Sequence, residues 1–180
     1  MPGRTQREAD EAFLAPLRRA LSCLTPAQLF VSPPAAVRAL LLSGGDLSGT
    51  DLRLRSSVID GGLLLRLRQQ FHSVEDPDAA AAQRWHISTL AYDYRLSRAT
   101  DSAELLSWHW HPRTGVPFPH LHVTATGWNR RSHVPSGRVS VEAVLRLLLS
   151  ELGVPPKRED WANVLDDSEA LFIKHRRWHT

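Results

Sequence analysis

The feature that most constrains this chain is a change of apolar period along it. Leu52, Leu54, Ser56 and Val58 alternate with polar neighbours, and Leu63, Leu65, Leu67 and Gln69 share one face after Asp60-Gly61-Gly62. Alternation at period two belongs to strands with one buried face. Asp-Gly-Gly between two such runs is a hairpin turn signal. From Val141 the period becomes helical. Val141, Val144, Leu145, Leu148, Leu149 and Leu152 form one stripe behind Ser140, and Gly153 and Pro155 end it. One kind of element cannot serve both periods, so the chain must pack a sheet against helices.

The remaining segments extend this pattern. Trp85 to Leu96 reads as a third strand, with Leu90, Tyr92, Tyr94 and Leu96 on one face. Glu104 to His111 reads as a fourth strand. Pro112, Pro117 and Pro119 lie in the connection to a short fifth, His120 to Thr126. At the N-terminus Thr5 and Glu8 form a capping-box pattern ahead of Ala9, Phe13, Leu17, Ala20, Leu21 and Leu24, with Pro16 interrupting or kinking the helix. Ser32-Pro33-Pro34 reads as a second helix start, running through Val37 to Leu42 and stopping at Gly44-Gly45. Arg158 to Thr180 carries Trp161, Val164, Leu165, Leu171, Phe172 and Trp178 as another apolar set. The expectation is an α+β fold: N-terminal helices, an antiparallel β-meander of about five strands, then C-terminal helices. It forms a single domain over 1–180, with a helical lead over 1–50, the sheet over 51–127 and the last helices over 138–180.

Composition narrows the function classes. No stretch approaches the roughly 20 apolar residues that span a bilayer, and the polar start leading into a helix is unlike a signal peptide. A cytoplasmic protein with no membrane partner is therefore expected. The lone Cys23 excludes an internal disulfide framework and a cysteine-based zinc site. The net charge is +3, and 20 of the 22 basic residues are arginine. Arginine suits bidentate phosphate contacts, but a charge this small on this length is a weak nucleic-acid signal.

Five of the nine histidines fall between His109 and His133. His109 and His111 share a strand face, with Trp108 and Trp110 opposite, and His120 and His122 share another. If these strands pair as antiparallel neighbours, four imidazoles converge on one patch, with Asp93 and Arg95 able to join from the preceding strand. Two chemistries fit. An imidazole pair can act as general base and acid in phosphoester cleavage, with Arg113, Arg130 or Arg131 stabilising phosphate charge. Alternatively His109, His111, His120 and His122 bind a divalent metal such as zinc. Histidine as a half-buried polar residue of aromatic-rich strands is the plain structural explanation. Trp128, beside Arg130 and Arg131, offers a stacking surface for a base. With His133, these three form the candidate substrate-binding set.

Asp60-Gly61, Tyr92-Asp93-Tyr94, His111-Pro112, Phe118-Pro119-His120 and the Ser140 helix follow one another in an order that resembles the TumE-type toxins of bacterial toxin–antitoxin pairs, over about residues 52 to 152. The segment Ser107 to Pro112 lacks that family's Asp-Asn pair, and the last histidine of Phe-Pro-His-Leu-His is displaced by one residue. The resemblance implies a growth-inhibiting toxin acting on RNA, with a cognate antitoxin as partner. It carries function onto His111, His120 and His122. The first expectation is thus a ribonuclease-like toxin without a cofactor. In it His111 and His120 are the acid–base pair, His109 or His122 assists, and Arg113 or Arg131 holds the phosphate. A metalloprotein and a non-catalytic interaction module are the alternatives, and the oligomeric state is open.

Overall fold

The computed structural model describes residues 2–26, 29–32, 36–42, 51–113, 115–124 and 132–175. Among them are nine strands: β1 (Pro2–Gly3), β2 (Leu29–Val31), β3 (Arg38–Leu42), β4 (Leu52–Leu54), β5 (Leu63–Glu75), β6 (Trp85–Arg98), β7 (Glu104–Trp110), β8 (His120–Val123) and β9 (Val134–Pro135). The helices are α1 (Gln6–Leu21), α2 (Val141–Ser150) and α3 (Trp161–His175). All pairings are antiparallel, in the order β2-β3-β5-β6-β7-β8-β9. β4 pairs with β5 beyond the end of β3, and β1 pairs with β6 beyond the end of β7. The α+β class holds. No described helix is long and apolar enough to cross a membrane.

The expected elements need correction in three places. First, the segment read as a second helix is the strand β3. Its five residues alternate in burial, with Arg38, Leu40 and Leu42 inward, and they pair with β2 on one side and β5 on the other. A short leucine run is compatible with either period, and the waiting strand edges decide it. The described residues before residue 50 therefore form one helix and three strands, and the meander of about five strands is the centre of a larger sheet. Second, β4 stops at Leu54. The Ser56 hydroxyl accepts from the amides of Val58 (3.1 Å) and Ile59 (2.8 Å), and the Ser57 amide donates to the Gly153 carbonyl (3.1 Å). A side chain that captures local amides ends the ladder, so a longer loop joins Leu54 to its partner Leu63, with the expected turn at Asp60-Gly61 inside it, closed by the Gly62 amide donating to the Ile59 carbonyl (3.0 Å). Third, Gln70 pairs with Ala91 but Phe71 with Thr89, so Leu90 is the extra residue of a bulge and leaves the face of Tyr92 and Tyr94.

Other signals hold. Thr5 accepts from the Glu8 amide (3.2 Å) and Ser140 from the Ala143 amide (3.0 Å), each capping its helix. The interruption expected at Pro16 is not found, since α1 runs through it without a break. Leu63, Leu65, Leu67, Phe71, Tyr92, Tyr94 and Leu96 are buried on one sheet face, with Trp108 and Trp110 beside them. The helices cover that face. Phe13 of α1 meets Phe71 at 5.1 Å between ring centroids, and Val144, Leu145 and Leu148 of α2 join the same core as Val164 and Leu165 of α3. The opposite face is left for the polar side chains of β5 to β8.

Candidate functional site

The sheet register assembles the histidines. On the face away from the helices, Asp93 of β6 lies opposite His109 of β7, which lies opposite His120 of β8. In the next row Arg95 lies opposite Ser107, and Ser107 opposite His122. His120 pairs with Pro135 and Leu121 with Val134, so the same register carried one residue further sets His133 against His122. Strands are about 4.8 Å apart, and the imidazoles accordingly crowd. Ring centroids are 5.1 Å apart for His120 and His122, 4.7 Å for His120 and His133, and 4.8 Å for His122 and His133. His109 lies 5.6 Å from His120 and 5.0 Å from His122, and His111 lies 5.9 Å from His109.

The nitrogens divide these rings into two groups. His120 is buried, and its Nδ1 is 3.0 Å from the Phe118 carbonyl oxygen. A carbonyl only accepts, so Nδ1 carries the proton and the Nε2 lone pair is left available. Fixing one ring nitrogen on a backbone carbonyl is how ligating histidines are oriented. His120, His122 and His133 each offer a nitrogen, and these atoms lie within 4.8 Å of one another. Tetrahedral binding at about 2.0–2.1 Å per nitrogen needs ligand atoms about 3.4 Å apart, so side-chain rotations that close the gap by about 1.4 Å complete such a site. Burial lowers the pKa of His120 against the pull of the Phe118 bond, which favours the neutral, ligating form.

His109 is committed elsewhere. Its Nε2 is 2.9 Å from the Ser107 hydroxyl, and that hydroxyl donates its own proton to Glu104 Oε1 (2.8 Å). Ser107 is fully buried, so it orients His109 and is no accessible nucleophile. The other ring nitrogen, Nδ1, faces Asp93 Oδ1 at 3.9 Å. Burial pulls the His109 pKa down to about 4, opposed by Asp93 and assisted by the neighbouring imidazoles. A neutral ring with its proton on Nε2 has none to give Asp93, and among the described residues Asp93 Oδ1 indeed meets no hydrogen-bond donor. Arg95 lies between Asp93 (4.0 Å) and Glu104 (3.3 Å) and offsets part of their charge.

The structure thus brings together His109, His111, His120 and His122, adds His133, and favours a different metal set from the two His-x-His pairs. Among the described residues the grouped ligand atoms belong to His120, His122 and His133, while both nitrogens of His109 face Ser107 and Asp93. The signal for His133 in the sequence was only its place in a basic loop; the β8–β9 register gives it meaning. Arg113 is exposed in the turn after β7. Trp128, Arg130 and Arg131 lie outside the described residues. Cys23 is buried, with its thiol pKa raised chiefly by that burial, and belongs to the core. A fold of this kind can host many functions, so function has to come from the site. Comparison of the chain with protein-family models, curated proteins and solved structures finds no match, and no family is assigned.

Proposed function

We propose that this chain is a metalloprotein in which His120, His122 and His133 hold one divalent transition ion, zinc being the first candidate, and that the site is hydrolytic. The observation that carries the reading is the cluster of three ligand nitrogens within 4.8 Å, one of them preset by the Phe118 carbonyl. Three imidazoles leave a fourth position for water, the arrangement that distinguishes catalytic from structural zinc sites. An ion there supplies a nucleophilic hydroxide near neutral pH. Asp93 and Glu104, only partly offset by Arg95, favour a cation nearby.

A second reading keeps the site metal-free. His109 and His111 lie outside the trio but in ring contact with each other. With His120 they supply enough imidazoles for acid–base cleavage of RNA, the activity of a toxin held in check by an antitoxin. One experiment separates the two. Purified protein, freed of metal by chelator, is titrated with zinc by calorimetry. In parallel it is assayed for cleavage of RNA and of a simple phosphodiester, with and without zinc. The metal reading expects about one ion per chain, and affinity lower by at least about tenfold in His120→Ala and His133→Ala but not in His72→Ala. Equal zinc affinity in all four proteins sinks it. RNA cleavage that persists in chelator and is lost in His111→Ala would favour the second reading.

A further inference from the structure

The helix-covered side of the sheet holds a cavity with about 70 Å3 of room for water-sized groups. Its walls include Phe13 and Leu17 of α1, Ile87 of β6 and Phe172 of α3. Two groups of opposite charge line the same cavity, beside polar residues such as Gln69 and Thr89: Arg138, just before α2, and Glu142 in its first turn. Glu142 is 2 % exposed and receives a hydrogen bond from Ser168 on one oxygen, Oε1 (2.5 Å). The Arg138 guanidinium lies 4.4 Å above the Trp110 ring, which holds its plane. Burial, then the neighbouring Tyr92, raise the pKa of the Tyr94 hydroxyl most, while Glu142 raises it further and Arg138 lowers it, so this hydroxyl experiences both charges. A carboxylate shielded from water is costly unless a cation or donor meets it.

We propose that this cavity is a binding site for a small zwitterion with an apolar body, of the class of a free aromatic or branched aliphatic α-amino acid. Its ammonium meets Glu142, its carboxylate meets Arg138, and its side chain lies among Phe13, Leu17, Ile87 and Phe172. The site is on the opposite sheet face from His120, His122 and His133, although His86 and His175 line it, and it does not depend on the metal reading.

The test uses the full chain and three probes in calorimetry and thermal melts: L-phenylalanine, phenethylamine, which lacks the carboxylate, and 3-phenylpropionate, which lacks the amine. L-phenylalanine is expected to bind saturably with Kd below about 1 mM and to raise the melting temperature. Each truncated probe is expected to bind at least about tenfold more weakly. Glu142→Gln should weaken L-phenylalanine and leave 3-phenylpropionate unchanged, and Arg138→Gln should do the converse with phenethylamine. Because the probe series is read on the wild type, it stands even if a variant misfolds. No saturable binding by L-phenylalanine, or equal binding of all three probes, overturns the proposal. His133→Ala should bind L-phenylalanine as the wild type does, which separates this result from the fate of the metal site.

Discussion

At the scale of single residues, Gly62 shows how little freedom the β4–β5 connection has. Its φ is +87°, in the region that side chains disfavour. A Cβ added there would lie 2.4 Å from the Leu54 carbonyl oxygen, a backbone atom in a paired strand. The Gly62 carbonyl also accepts from the Ala99 amide (3.0 Å), so the loop cannot simply swing away. Gly62→Ala is therefore expected to lower stability by about 1–3 kcal/mol, read as an earlier urea midpoint with unchanged slope. A midpoint within error of the wild type would show that the loop relaxes. Ser107 acts at the same scale. Its one hydroxyl proton goes to Glu104, so its oxygen can only receive from His109, and one buried serine thereby fixes the tautomer of a half-buried imidazole.

At the scale of elements, the attachment of α1 to the sheet combines apolar packing with one ion pair. Asp10 pairs with Arg38 of β3 and accepts from the Ser73 hydroxyl of β5 (2.9 Å), while Arg38 also lies 5.2 Å from the Phe71 ring centre. The side chains of Asp10 and Arg38 are 18 % and 11 % exposed. Removing one partner of such a pair strands the other charge, which costs about 3–5 kcal/mol when burial is complete, and somewhat less here. Asp10→Ala should accordingly cost about 3 kcal/mol, whereas replacing both residues by apolar ones of similar size should cost less. Chemical denaturation of the two variants checks this, and a double variant less stable than Asp10→Ala would contradict it. Alternation in β3 puts Arg38 on the inward face with Leu40 and Leu42, where it meets Asp10 of α1.

At the scale of the whole molecule, the sheet separates two chemistries. One face gathers imidazoles, and the other buries a carboxyl between sheet and helices. Burial raises the Glu142 pKa, opposed by the Ser168 hydroxyl of α3 and assisted by the charge of Glu169. The folded state therefore holds this proton where the unfolded chain has released it. By linkage, stability falls as pH rises from the ordinary carboxyl pKa through the raised folded value, then levels. Glu142→Gln removes that loss, so its stability advantage over the wild type should be absent at acid pH, grow through that window and persist at neutrality. Urea titrations at pH 4, 5, 6 and 7 check it; an advantage independent of pH would mean that Glu142 does not titrate as its burial implies.

Local pattern alone determined the two periods, the capping of α1 by Thr5 and of α2 by Ser140, the face shared by Leu63, Leu65, Leu67 and Gln69, and the grouping of His109 and His111 apart from Trp108 and Trp110. These follow from alternation and hydrogen-bonding capacity within a few residues. The sequence could not determine that β7 and β8 are neighbours in the register His109 to His120, or that β9 sets His133 against His122. Pairing joins residues distant along the chain, and no local preference encodes which strand a given edge receives. For the same reason Val37 to Leu42 read as a helix: the short apolar run after Arg38 takes its conformation from the edges of β2 and β5 that meet it. The β6 bulge at Leu90 was likewise invisible, because one extra residue changes the phase of alternation without changing composition. Tertiary structure thus decided which imidazoles share a centre, since a one-residue change of register turns every side chain of a strand to the other face.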